Sequence, residues 1–125
     1  MAANYSTLLK NARLDVVNDY INAGGGAGYI EIGTTAMALI LAKIILSDPA
    51  APAAAAGVLT LTMPKSDTNA PATGTAAEAR IRDSNDLDVV TGLTVGTGSE
   101  DIVLDSVSIT ITQTVTINTA TISHA

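Results

Sequence analysis

Residues 74–96 read GTAAEARIRDSNDLDVVTGLTVG, and this stretch decides the fold. In its first arm Ala77, Ala79 and Ile81 share one face, and Glu78, Arg80 and Arg82 share the other. That is the period-2 alternation of a strand with one face buried and one wet. Asp83-Ser84-Asn85-Asp86 supplies a turn, because short Asx and Ser side chains hydrogen-bond to their own backbone. Leu87, Val89 and Val90 open the return arm, and Gly92 interrupts it as a bulge would. This hairpin places Ile81 and Val89 inward and Arg80 outward. The rest of the chain then supplies further strands to pack on the hairpin, plus one helix.

At 125 residues the chain makes one domain, residues 1–125, with an N-terminal helical segment over 1–24 and a β domain over 28–125. A hydrophobic content of 47% excludes wholesale disorder. The only aromatics are three tyrosines, so Ala, Val, Ile and Leu must build the core. Each of these buries less than an aromatic, which makes association with other subunits an expected source of stability. A net charge of −6 argues against sequence-independent nucleic-acid binding, which needs Lys and Arg to displace counterions. The absence of cysteine excludes thiol nucleophiles, disulfides and cysteine zinc sites. The opening MAANYSTLLKNARL lacks the apolar run of a signal peptide, and Ala36–Leu46 is too short to span a bilayer and carries Lys43. The expectation is therefore no membrane or secretion route.

Ahead of the hairpin, Ser6 or Asn4 can cap a helix running to about Asn22. Leu8, Leu9, Ala12, Val16, Val17, Tyr20 and Ile21 form its apolar stripe; such a stripe can dock on a partner, but more often packs on the protein's own sheet. Gly24-Gly25-Gly26 ends the helix. Tyr29–Gly33 alternates as a strand. Leu39–Leu46 (LILAKIIL) fits a strand buried on both faces or a short buried helix, and its isoleucines and the nearby prolines favour the strand. Asp48–Pro52 and the following alanines form a connecting loop. Val58–Met63 is a strand stopped by Pro64, and Lys65–Thr73 is a polar loop. After the hairpin, Gly96–Asp101 is a tight loop. Ile102–Leu104, Val107–Ile111 and Val115–Ile122 are strands, with Thr112-Gln113-Thr114 as the last turn. The expected fold is mainly β: an antiparallel sandwich or distorted barrel of about eight short strands with one N-terminal α-helix.

Several patterns invite a chemical reading and fall short of it. Gly24–Gly28 (GGGAG) lacks the G-x-x-x-x-G-K-[ST] frame of a phosphate loop and follows a helix rather than opening one. Asp83–Asp88 (DSNDLD) begins like a calcium loop, but Leu87 and Asp88 stand where an EF-hand needs an oxygen ligand and a glycine. Glu100, Asp101 and Asp105 read as a solvated loop. His124, the only histidine, lies beside the C-terminus, so no buried base is on offer for a serine nucleophile and no nitrogen-rich set for a transition metal. Three tyrosines offer little sugar-stacking surface to a carboxylate pair. No catalytic, cofactor-binding or metal residue is assigned, no cofactor is expected, and the expectation is a protein that is not an enzyme.

Four pieces in order carry a resemblance: NARLDVVNDYINAGGGAGYIEIG, LSDPAAPAAAAGVLTLTMPKSDTNAPATGTA, RIRDSNDLDVVTGLTVG and TVTINTATISHA. Nearly the whole chain resembles a family of small virion structural proteins of tailed bacteriophages. A departure is Ile109–Gln113, where a glycine-containing turn is expected. The resemblance implies a capsid decoration (cement) protein or a minor head protein, made in the host cytoplasm, with a seat on the virion surface as the leading expectation. Its implied partners are the phage major capsid protein and itself, as a homotrimer, with no nucleic acid and no membrane. A head–tail connector, neck or tail component is the alternative, and a host-surface or carbohydrate-binding module is another. Met1–Ser6 and the Lys65–Thr73 loop are the segments expected to reach the shell.

Overall fold

A computed structural model of the chain describes residues 5–123. Asn4 as a cap, Met1–Asn4 as a shell contact and His124 therefore lie outside the described residues. The described chain runs through α1 (Thr7–Ile21), β1 (Tyr29–Gly33), β2 (Ile40–Ile45), β3 (Val58–Thr60), β4 (Lys65–Asp67), β5 (Gly74–Thr75), β6 (Glu78–Arg82), β7 (Asp88–Gly96), β8 (Ile102–Leu104), β9 (Ser108–Ile109) and β10 (Val115–Ser123). The main sheet has the order β2-β1-β6-β7-β8-β10-β3, with β4 also paired to β10, and it curls into a half-barrel. A small second sheet pairs β5 with β9.

The central hairpin forms as its alternation requires. Ala79 and Ile81 are buried, and Glu78, Arg80 and Arg82 lie on the opposite, half-exposed face. The Asp83 carboxylate accepts the backbone N–H of Asn85 (2.9 Å) and of Leu87 (3.0 Å), which lets this acidic side chain be buried. Two steps on β6, from Ile81 to Ala79, face three on β7, from Val90 to Leu93. Gly92 sits in this bulge at φ +72, a conformation that costs glycine nothing. A second irregularity lies between the Arg82–Asp88 and Ile81–Val90 pairs, with Val89 as the extra residue. Val90 rather than Val89 therefore stands opposite Ile81. Leu87 is exposed and contributes nothing to the core.

Three other strand assignments change. Leu39–Leu46 does form a strand, but one with a wet face, since Lys43 and Ile45 are exposed. Its continuous apolar look comes from an irregular register, Ile32 opposite Ala42 but Gly33 opposite Ile40, which leaves Leu41 as an extra residue. Pro64 interrupts a strand without ending it. Leu61 still donates to the Ala120 carbonyl (2.9 Å), and the ladder resumes as β4 inside the expected loop. The sheet is mixed rather than purely antiparallel, because β7 and β8 run parallel over two residue pairs. A short loop can join parallel neighbours only by doubling back tightly, and side chains hold this one. Asp101 accepts the amide and hydroxyl of Thr94, and Glu100 accepts the amide of Gly98. The strand expected over Val107–Ile111 shrinks to β9. The chain turns at Thr110–Gln113, where Gln113 donates to the Thr110 carbonyl and Thr112 takes φ +71. A threonine thus occupies the left-handed position where the pattern called for glycine.

The core lies inside the curl. Ile30, Ile32, Ile44, Ile81, Ile102 and Ile117 are fully buried, with Leu41, Leu59 and Leu104 beside them. Each contributes about 1.5–3 kcal/mol of burial, against an ordering cost of comparable total size. The two ends of the curled sheet meet without a backbone ladder. There the Asp67 carboxylate of β4 accepts the amide of Lys43 on β2 (3.0 Å), which blunts an exposed strand edge.

Helix α1 is capped by Ser6, whose hydroxyl accepts from the Leu9 amide (3.2 Å). Of the predicted stripe, Val17 and Ile21 turn inward, whereas Leu8, Leu9, Val16 and Tyr20 are exposed. Leu14 and Ile21 are buried and Val17 packs against the core. Asn11, Asp15, Asn18 and Asn22, spaced 4, 3 and 4 residues apart, form a polar ladder beside them. Asn11 accepts the Gly57 amide (2.9 Å) and Asp15 the Ala54 amide (2.8 Å). Asn18 donates to the Ala51 carbonyl (2.9 Å), and Asn22 accepts the Ala50 amide (2.9 Å). The alanine-rich loop has few side chains of its own for satisfying its backbone, so the helix does it instead.

Candidate functional site

The structure brings together the two stretches that looked like ligand loops. The glycine run after α1 packs on the Asp83–Asp86 turn, where the Ser84 hydroxyl donates to the Ala23 carbonyl (3.2 Å). A side chain at Gly28 would meet the carbonyls of Ile21 and Arg82 at 2.7 Å, so glycine is needed there for close backbone packing. Asp83 is spent on its own turn, and Asp86 accepts the Tyr29 hydroxyl (2.5 Å). Asp105 accepts from Asn118 (2.6 Å), so it too holds two chain segments together. Backbone hydrogen bonds from Gly98 and from its own amide lower the Glu100 pKa. Among the described residues no group of three or more His, Cys, Asp or Glu stands close enough to hold a metal ion. No described helix is long and apolar enough to cross a membrane.

The outer face of β2, β1, β6 and β7 carries an ordered charge network. Arg80 bridges Glu31 (2.7 Å), and Arg82 bridges Asp88 (2.7 Å) while lying 3.8 Å from Glu31. The Lys43 ammonium sits 4.2 Å above the Tyr29 ring. Burial raises the Tyr29 pKa, and its hydrogen bond to Asp86 adds to the shift. The hydrogen bond to Asp88, followed by that to Tyr29, raises the Arg82 pKa. Cross-strand pairing holds Arg80, Arg82, Glu31 and Asp88 in place on this face.

The surface left over is the outer side of α1. Leu8 is 81% exposed, Tyr20 64% and Val16 52%, with Tyr5 and Leu9 exposed beside them. Arg13 lies 4.7 Å from the centroid of the Tyr5 ring. A shallow hollow lined by Arg13, Leu14, Val16 and Val17 runs along the flank. Four of these apolar side chains stand on α1 and Tyr5 just ahead of its cap, a cluster of exposed apolar groups rather than scattered single ones. Hydrophobic periodicity located this stripe but assigned it to the core. The signal pointing the other way was the parallel series of Asn and Asp on the opposite side of the helix.

The class defined by this geometry is a mainly β half-barrel carrying one helix with an uncovered apolar face. No protein-family model, no curated protein and no solved structure matches the chain.

Proposed function

We propose that this protein works by assembly rather than catalysis, as a structural protein of a tailed-bacteriophage virion that decorates and cements the head shell. The observation that carries the reading is the apolar face of α1, on a molecule whose carboxylates are largely engaged in turns and ion pairs. The virion setting rests on the resemblance. Association costs about 4–15 kcal/mol, and five part-exposed side chains form only a small contact. One such contact is therefore marginal, and a surface that binds many linked copies gains the remainder through avidity. A repeated shell is a surface of that kind.

The test is binding of purified protein to undecorated shells, followed by sedimentation and a count of copies per particle. Saturable binding in hundreds of copies supports cementing. A handful of copies per particle moves the protein to the neck or tail. Failure of a folded protein to bind shells at all overturns the reading.

A further inference from the structure

A groove runs beside β2 on the outer side of the sheet. Leu39, Lys43 and Ile45 line it from the β2 side, and Pro71 and Ala72 line it from the loop after β4. Leu39 and Ile45 are 45% and 54% exposed, and Lys43 lies between them, so the order along the strand is apolar, cationic, apolar. From Leu39 to Ile45 the chain covers under about 20 Å at about 3.3 Å per residue. At the Leu39 end, the connection from β1 to β2 holds two consecutive residues in the left-handed region, Ala36 at φ +61 and Met37 at φ +55. The Glu78 carboxylate accepts the Ala36 amide, and the Thr34 hydroxyl accepts the Leu39 amide (3.1 Å). The surrounding structure thus fixes a strained tip directly before Leu39, and strain of this kind gathers at ligand clamps.

Charge identifies the occupant. Lys43, Arg80 and Arg82, half of the chain's six lysines and arginines, stand on this face against Glu31, Glu78 and Asp88, a balance of zero in a chain of −6. The carboxylates are all engaged: Glu31 by Arg80, Asp88 by Arg82 and Glu78 by the Ala36 amide. Asp67, at the groove, accepts the amides of Lys43 and Asn69 at 3.0 Å each. Lys43 stands opposite Glu31 in the ladder, but Arg80 on the other side takes that carboxylate. Among the described residues no carboxylate lies within ion-pair distance of the Lys43 ammonium, which rests on the Tyr29 ring instead. We infer that this groove binds an extended segment of a partner protein in which an acidic residue is flanked by apolar ones. The acid meets Lys43, and the apolar side chains meet Leu39 and Ile45. An anionic segment is repelled by most of this acidic surface and is met here by a cation already held in place. A nucleic acid needs several free cations, where the groove offers one. Its volume of about 700 Å³ is that of a ligand site, but it lies open along its length, whereas a small-molecule site encloses its ligand. The inference draws neither on α1 nor on the virion.

The test is an NMR titration of the isotope-labelled protein with the peptide Ac-Leu-Ser-Glu-Ser-Leu-NH2, whose Leu, Glu and Leu share one side when extended. The amides of Leu39, Lys43, Ile45 and Asn69 should shift together along one binding curve. The counterpart with Gln in place of Glu should bind about two- to fivefold more weakly, the worth of one exposed ion pair. Lys43→Gln should weaken the Glu peptide by the same factor and bind the two peptides alike, while Lys43→Arg keeps the preference. Ile45→Ser should weaken both peptides and leave the preference intact. The comparison of peptides uses the unmodified protein, so it decides the matter even where a variant fails to fold. Equal affinity for the two peptides, shifts outside the groove, or no binding up to millimolar peptide overturns the inference. Dodecanoate that shifts these amides where the Glu peptide does not makes the groove a site for a small amphiphile, and overturns it as well.

Discussion

Replacing Asn22 or Asp15 by Ala should destabilise this protein more than replacing Leu8 or Val16 by Ser, the reverse of what an amphipathic helix ordinarily implies. Asn22 accepts the amide of Ala50, a residue with no exposed surface. Removing the acceptor strands a buried N–H, at about 1–3 kcal/mol. Asp15 holds the half-buried Ala54 amide with a charged acceptor, at about 1–2 kcal/mol, from which the better helix propensity of Ala returns about 0.5 kcal/mol. The two positions lie about 10 Å apart along the helix, so their effects should nearly add, to about 2–4 kcal/mol. A domain of this size holds about 6–15 kcal/mol in all, so the double variant loses a large share. Leu8, 81% exposed, has little burial to lose, and Leu8→Ser should cost under about 0.5 kcal/mol. Leu14→Ala, at a buried site, serves as the control, at about 2–5 kcal/mol. Urea unfolding at low protein concentration would measure the five single variants and the double one, so that self-association does not enter. Losses above about 2 kcal/mol for Leu8→Ser or Val16→Ser, with Asp15→Ala and Asn22→Ala near zero, would show that the helix docks through its other face.

Three further outcomes follow from the sheet. Ile81→Ala should cost about 3–4 kcal/mol in urea unfolding, and Val90→Ala and Val89→Ala each less, because only Ile81 is fully enclosed. Equal losses at all three would contradict the register. Thr112→Gly should leave stability unchanged or raise it by up to about 1 kcal/mol, since it relieves a β-branched residue at φ +71, whereas a clear loss would place that turn in another conformation. The Tyr29 phenol should ionise above the ordinary value of about 10, and Tyr29→Phe should remove that component from the phenolate absorbance titration. Because the folded pKa is raised, the stability it contributes is complete below about pH 10 and is lost as pH rises through the folded value. Tyr29→Phe should therefore abolish that alkaline loss and cost about 1 kcal/mol at neutral pH.

The sequence by itself determined the central hairpin, the turn at Asp83–Asp86 and the bulge at Gly92. These features are written in nearest-neighbour chemistry: alternation sets the face, Asx side chains make the turn, and glycine tolerates φ +72. It also determined the mainly β class and the extent of the helix, through a serine cap and a glycine stop. Only the tertiary structure decided which side of that helix turns inward. A stripe of Leu, Val and Tyr and a series of Asn and Asp compete for the interior. The Asn and Asp series wins beside Leu14 and Ile21 because the loop at Ala50–Gly57 presents backbone amides that need acceptors. The register irregularities that expose Ile45 and displace Val89 depend likewise on pairing with strands distant in the chain. So does the parallel contact of β7 with β8, closed by Glu100 and Asp101. Local pattern carries no record of such partners, because a residue's burial is set by what the rest of the chain brings to it.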